Sequence, residues 1–221
     1  CLIKMGAKIE GHGTKTILVQ GVTNLKKAEH EIISDRIVAG TYIIAALMLN
    51  SALEINNFNT IYLKSLIDIL KKMGAKLKVS KNSIKVFKGS KLKSTSLSTS
   101  PYPGFPTDLQ AQLMSLMCLS DGKSKIKETI FENRFMHVPE LNRLGANITV
   151  EKDTATIIGN QTFKGAQVMA SDLRASISLV LAAMNANGQT TLNRVYHLDR
   201  GYENIEKTLG SLGVKIKRQK N

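Results

Sequence analysis

The 221-residue sequence has no tryptophan, two cysteines, four prolines and only 5% aromatic residues. Two cysteines support no disulfide framework. Cys118 lies inside the apolar run LMSLMCL (113–119) and is expected to be a buried, reduced core residue. A reducing cytoplasm fits that usage. No apolar run approaches the roughly 18 residues of a membrane span, and the longest, Ile43 to Leu49, falls far short. The opening CLIKMGAKI breaks after a few apolar positions, unlike a signal peptide. It also begins without methionine inside a helix-like phrase, so the sequence reads as part of a longer one. Acidic residues are scarce, 17 against 31 basic, which leaves a net charge of +14. The lysines are scattered, with modest clusters at 85–93 and 215–220, and the single aromatic among them, Phe87, makes no repeated basic-aromatic pattern. That excludes a base-stacking platform, so neither nucleic acid nor membrane is an expected partner. A solvated lysine surface that also contains a site for small anions is expected instead. GxGxxG, P-loop, CxxC, HExxH and GxSxG motifs are all missing.

What is present is a repeat of about seventy residues. LIKMGAKI (2–9) returns as LKKMGAKL (70–77), LNRLGANI (141–148) and LGSLGVKI (209–216). Each phrase has the form of a helix end turning into a strand, with glycine supplying the left-handed residue. Upstream, Asp35, Asp108 and Asp172 each precede a helical pattern, as N-caps do. Leu173, Ile177, Val180, Leu181 and Met184 make one apolar stripe, while the segment 36–49 is apolar nearly all round and should be deeply buried. Strand-like runs follow at 52–55, 124–130 and 190–195, then a second helix, then alternating hairpins at 76–89 and 147–160. The predicted unit is β-α-β-α-β-β, an α/β fold.

Three polar clusters recur at matching places. In PGFPTDLQAQ (103–112), Asp108 reads either as a group that takes a proton from a substrate hydroxyl or as a plain N-cap. In ETIFENRFMHVPEL (128–141), Arg134 reads as a bidentate anion ligand or as a surface partner of Glu132 or Glu140. His137 in the same run is a general acid or a structural histidine. In VYHLDRGYE (195–203), Arg200 is the positional counterpart of Arg134, and DLRAS (172–176) adds Arg174 on the first turn of a helix. Arginines converging from successive repeats would form a site for a phosphate- or carboxylate-bearing substrate.

FPTDLQAQ (105–112), IFENRFMHVPEL (130–141), GAQVMASDLRAS (165–176) and YHLDRGYE (196–203), in this order, resemble the UDP-N-acetylglucosamine 1-carboxyvinyltransferases of the enolpyruvyl transferase family over essentially the whole chain. The alternatives are a 3-phosphoshikimate 1-carboxyvinyltransferase, which shares the fold without the ENRFMH and DRGYE wording, and a non-catalytic remnant of the family. The resemblance implies an inside-out α/β barrel, with the repeated units around a pseudo-threefold. It implies that residues 1–25 are the tail of the other, N-terminal domain, that 26–221 form a three-repeat domain, and that the chain is the C-terminal half. The implied reaction transfers the enolpyruvyl group of phosphoenolpyruvate to the 3-hydroxyl of UDP-N-acetylglucosamine, the first committed step of peptidoglycan synthesis. No metal or organic cofactor is implied, and the missing N-terminal half is the implied partner. By the same resemblance Asp108 contacts the sugar hydroxyl and removes its proton, and Ile130 offers a backbone group to the UDP-sugar. Arg134 and Arg200 engage phosphoenolpyruvate, while Asp172 and Arg174 stand in a second tier. The family's general-acid loop, Lys-Asn pair and uridine-binding loop match nothing here, and neither Cys1 nor Cys118 fits that loop. The chain alone is therefore expected to bind UDP-N-acetylglucosamine weakly and to turn nothing over. The apolar faces of 2–9 and 17–22 are expected to lack cover, so deleting residues 1–25 should improve solubility.

Overall fold

The computed structural model describes residues 1–219; Lys220, which ends the basic cluster 215–220, and Asn221 lie outside the described residues. Two compact units are formed, Cys1–Ser34 and the remainder from Asp35 onward. The first holds a single antiparallel hairpin, β1 (Lys8–Glu10) with β2 (Leu18–Gln20). Its apolar residues find little cover: Ile17, Leu18 and Val19 are 59%, 64% and 62% exposed.

The second unit carries the repeat. Its first copy runs α1 (Arg36–Met48), β3 (Leu53–Asn56), α2 (Lys64–Lys72), β4 (Leu77–Val79) and β5 (Ser83–Val86). The middle copy runs β6 (Ser96–Ser98), a 3-10 turn at Thr107–Leu109 leading into α3 (Gln110–Met117), β7 (Lys123–Lys127), α4 (Val138–Arg143), β8 (Asn147–Glu151) and β9 (Thr154–Ile158). The third has β10 (Gln167–Met169), α5 (Leu173–Met184), β11 (Thr191–Asn193), a 3-10 turn at Val195–Arg200 and α6 (Ile205–Ser211).

Only the middle copy shows the whole predicted unit among the described residues. Its sheet order is β6-β7-β9-β8, with β6 parallel to β7 across the α3 crossover and the other pairs antiparallel. The first copy keeps the three antiparallel strands, in order β3-β5-β4, and the third keeps the parallel pair β10-β11. The repeat glycines Gly6, Gly74, Gly145 and Gly213 take φ of +100°, +98°, +99° and +93°. Behind them the amides of Ala7, Ala75, Ala146 and Val214 each close back to the carbonyl five residues earlier, which satisfies helix-end acceptors in α2, α4 and α6 and closes a turn at residues 2–7.

The leading helices lie inside and the sheets outside, as the resemblance implies. All eight positions of α3 are buried, and α1 is buried at ten. The three inner helices touch pairwise. A Cβ on Gly40 of α1 would stand 2.8 Å from a Leu109 methyl, so glycine permits the close approach of α1 to the turn before α3. Ser115 of α3 donates to the Ser178 carbonyl of α5 at 3.2 Å, and Asn185, just after α5, donates to the Met48 carbonyl of α1 at 2.9 Å. Outside, β7 turns Ser124 and Ile126 inward and its three lysines to solvent. Much of the lysine surplus therefore coats the sheets. No helix is long and apolar enough to cross a membrane among the described residues.

Candidate active site

Asp35 and Asp172 are the N-caps their spacing predicts: each carboxylate accepts from two amides of the following turn, Ile37 and Val38 for Asp35, Arg174 and Ala175 for Asp172. Asp108 departs from that expectation. The chain before α3 is wound as a 3-10 turn with Pro106 at its cap position, and no side chain caps it. The Asp108 carboxylate turns instead to two guanidinium groups. Its Oδ1 accepts from Arg134 Nη2 at 3.2 Å and from Arg174 Nε at 3.1 Å. Both arginines are about four-fifths buried, while the Asp108 side chain is 41% exposed. Oδ2 has no partner among the described residues, so one carboxylate oxygen is held and the other remains able to accept a proton or a hydroxyl. Each guanidinium has further N–H donors beyond the one given to Asp108, which a phosphate or carboxylate can take.

Arg134 reaches this position from the loop between β7 and α4, where Asn133 takes a left-handed φ of +53° that asparagine tolerates. Its guanidinium also lies 5.2 Å from the centre of the Phe131 ring, a cation–π contact. The surface pairing with Glu132 or Glu140 is therefore not what occurs; Glu140 accepts from the Met169 amide and forms an ion pair with Arg143. Arg174 arrives from the first turn of α5, one repeat later, and owes its place to the Asp172 cap. Asp172 thus holds the backbone that carries Arg174, rather than touching Asp108 itself.

Ile130 is 38% exposed, and its amide donates to Glu128 Oε1 at 2.9 Å. The backbone group it leaves for a ligand is the carbonyl. Ile130, Phe131 and Arg134 line a cleft of about 1000 Å³ together with Lys127, Lys152 and Asp153. Asp108 and Arg174 stand off this wall, and Arg134 joins the two regions. Arg200 ends the 3-10 turn after β11, is exposed, and its side chain forms no hydrogen bond or ion pair among the described residues. Its neighbours are fixed: Gly201 packs against Leu173, and the Tyr202 hydroxyl lies 2.8 Å from Thr41 Oγ1. The same Thr41 oxygen accepts from Gln112, which also donates to the Asp108 carbonyl. A buried polar chain therefore runs from the Arg200 segment to Asp108.

His137 is buried beneath the arginine loop, and burial pushes its pKa down to about 4, with Asp172 opposing and Arg134 reinforcing the shift. A neutral imidazole at pH 7 matches the structural reading rather than the general-acid one. Cys118 is fully buried, and burial pushes its thiol up to about 12. Among the described residues no group of three or more His, Cys, Asp or Glu could hold a metal ion. The inward-facing Glu128 was not foreseen. The signal was parity: Ser124 and Ile126 of β7 point inward, and Glu128 continues that parity with a carboxylate.

The chain is similar to several known proteins. The UDP-N-acetylglucosamine 1-carboxyvinyltransferase of Pelagibacter ubique is 51% identical over 98% of this chain and 52% of its own length. That of Azorhizobium caulinodans is 52% identical over 99% of this chain and 51% of its own. The chain thus spans about half the length of the curated relatives it matches. Among solved structures, the enolpyruvyl transferase NikO from Streptomyces tendae superposes with a TM-score of 0.89 at 29% identity, over 97% of this chain and 52% of that one. EPSP synthase from Acinetobacter baumannii gives 0.76 at 18% identity, over 99% and 54%, a likeness of fold alone. The sequence profile of the EPSP synthase family (3-phosphoshikimate 1-carboxyvinyltransferase) matches residues 1–209, and the chain belongs to that family.

Proposed function

We propose that this chain supplies one domain of an enzyme that joins phosphoenolpyruvate to the 3-hydroxyl of UDP-N-acetylglucosamine. The observation that carries the reading is Asp108: alone among the three repeat aspartates it leaves its helix uncapped and sits between Arg134 and Arg174. The relatives at 51% and 52% identity bear the name of that activity. The EPSP synthases contribute fold alone, so the sugar nucleotide is preferred to a shikimate substrate.

On this reading Asp108 Oδ2 takes the proton of the sugar hydroxyl while the two arginines hold Oδ1 still. The Ile130 carbonyl accepts a hydrogen bond from the sugar nucleotide. Arg134 and Arg200 grip the phosphate and carboxylate of phosphoenolpyruvate and stabilise charge that develops on it, and Asp172 and Arg174 steady the arrangement behind them. The sugar oxygen adds to C2 as C3 gains a proton; phosphate then leaves C2 as C3 gives a proton back, restoring the double bond. The donor to C3, and the closure that excludes water, belong to the part of the enzyme that the chain does not span. The cytoplasm, where both cysteines remain reduced, is the setting this fits, and the product would serve peptidoglycan synthesis and, through it, cell shape and division.

Calorimetric titration of the 221-residue chain with UDP-N-acetylglucosamine tests the proposal. Weak binding is expected, reduced by about tenfold or more in Asp108→Asn through loss of a charge-assisted hydrogen bond, with no phosphate released from phosphoenolpyruvate by the chain alone. Absence of binding at millimolar ligand, or binding indifferent to Asp108→Asn, would sink the reading.

A further inference from the structure

The Glu128 side chain is 4% exposed and receives four donors from three separate segments. Oε1 accepts from the Thr99 hydroxyl just beyond β6 at 2.8 Å, from the Ile130 amide at 2.9 Å and from the Phe131 amide at 3.3 Å. Oε2 accepts from the Thr107 hydroxyl at 2.9 Å. The cluster is tied further: Thr99 Oγ1 accepts from the Thr129 amide at 2.8 Å, the Thr99 carbonyl accepts from the Thr129 hydroxyl at 2.6 Å, and the Glu128 amide donates to the Asp153 carbonyl at 2.8 Å.

A buried carboxylate is poor evidence for stability, because an apolar residue of similar volume often serves as well or better. What the carboxylate adds here is geometry. Thr107 directly precedes Asp108, and Ile130 carries a carbonyl with no hydrogen-bond partner among the described residues, so on the functional reading above a single rigid group spans both points that meet a ligand. Lengthening or shortening it moves one against the other, and displacements near 1 Å at a reacting centre cost about a hundredfold. Arg174 is anchored elsewhere, by the Asp172 cap, whereas Arg134 shares the loop that Glu128 ties, three residues beyond Phe131 and against its ring.

We propose that Glu128 is a positioning residue that sets the spacing between Asp108 and the Ile130 carbonyl, and so governs affinity for the sugar nucleotide more strongly than affinity for phosphoenolpyruvate. This rests on the sugar-nucleotide reading above. Glu128→Asp withdraws the carboxylate by one methylene, whereas Glu128→Gln keeps its reach, with the Thr107 hydroxyl free to turn and accept. Titration of the 221-residue chain with each ligand, paired with amide hydrogen exchange at Ile130 and Phe131, separates the possibilities. In Glu128→Asp, exchange at both amides should speed by about tenfold or more, and UDP-N-acetylglucosamine should bind about tenfold more weakly. Phosphoenolpyruvate, which Arg134 reaches from the same loop, should lose no more than about threefold, and Glu128→Gln should resemble the wild type in every readout. Should Glu128→Asp fail to fold, Thr107→Val, which frees only Oε2, should give the same split with a smaller loss. Unchanged sugar-nucleotide affinity in a folded Glu128→Asp chain, or equal loss of both ligands, overturns the proposal. A wild-type chain that binds no sugar nucleotide overturns the functional reading first and this inference with it, and that failure is visible before any variant is made.

Discussion

Asp35 and Asp172 each receive two backbone amides, whereas Asp108, at the equivalent point of the middle repeat, receives two guanidinium groups. Asp35→Ala should therefore lower stability by about 1 kcal/mol, the usual cost of a lost cap. Asp108→Ala removes partly exposed ion pairs worth less than about 1 kcal/mol, so denaturant midpoints should fall for the first and hardly move for the second, while ligand binding shows the reverse. The repeat made the three aspartates equivalent on paper. It gave no hint of which had left its helix, because that depends on the 3-10 winding after Pro106 and on arginines 26 and 66 residues away. Arg200 was legible as a counterpart of Arg134, yet its exposed side chain stands apart from the Asp108 pairings among the described residues. His137 gives a pH dependence. Its folded pKa near 4 lies below the ordinary value of 6.5, so below about 6.5 the unfolded chain takes up a proton that the folded one refuses. Stability should fall as pH drops from about 6.5 to about 4, by on the order of 3 kcal/mol at the end of that window. A melting-temperature series for His137→Gln should lack this component, and slopes identical to wild type would show that burial of the imidazole is not its cause. Cys118 should resist iodoacetamide in the native chain while exposed Cys1 reacts, as mass spectrometry would register.

The hairpins β4-β5 and β8-β9 fall within the alternating runs that predicted them, and Gly74, Gly145 and Gly213 end α2, α4 and α6 in the left-handed region, because period-2 alternation and a C-terminal glycine are local signals; the phrase before Gly6 forms a turn rather than a helix. The leading strands were legible only as a place in the unit. β6 and β10 are three residues long, and their partners β7 and β11 come after an intervening helix, so nothing local marks them. Close backbone approaches were equally invisible. A Cβ on Gly159, just after β9, would stand 1.8 Å from the Ser120 carbonyl oxygen and 2.8 Å from that of Gly122. Gly159→Ala must push the segment leaving β9 away from the turn that enters β7, and a loss of about 3 kcal/mol is expected, at the upper end for overpacking. Gly210, in α6, has nothing within 4 Å of its Cβ position. There alanine should raise stability by roughly 0.5–1 kcal/mol through helix propensity and a less flexible unfolded chain. Urea unfolding of both variants gives opposite shifts in midpoint if the steric argument holds, and two shifts of the same sign if propensity alone decides.

How three copies assemble was not contained in their period, although one clue was: a helix apolar on every side, such as α1, has to be surrounded. The structure meets that need by setting α1, α3 and α5 against one another and placing the sheets around them, where outward lysines of strands such as β7 meet water. The first unit has no such arrangement. Leu2 and Ile3 are 51% and 47% exposed, and Ile17, Leu18 and Val19 more so, in a segment of 34 residues whose one hairpin has three-residue strands. A two-stranded hairpin is at best marginally stable in water on its own, and clustered apolar side chains left exposed favour association. Removing residues 1–34 takes away this surface without touching a residue of the inner helices or of the Asp108 site. Sedimentation velocity at increasing protein concentration should show the 221-residue chain self-associating and the chain from Asp35 onward remaining a single species, with UDP-N-acetylglucosamine affinity unchanged. If the shortened chain associates just as strongly, the sticky surface lies on the second unit, and the exposed Met136 and Phe131, which line the cleft beside Arg134, become the side chains to examine for it.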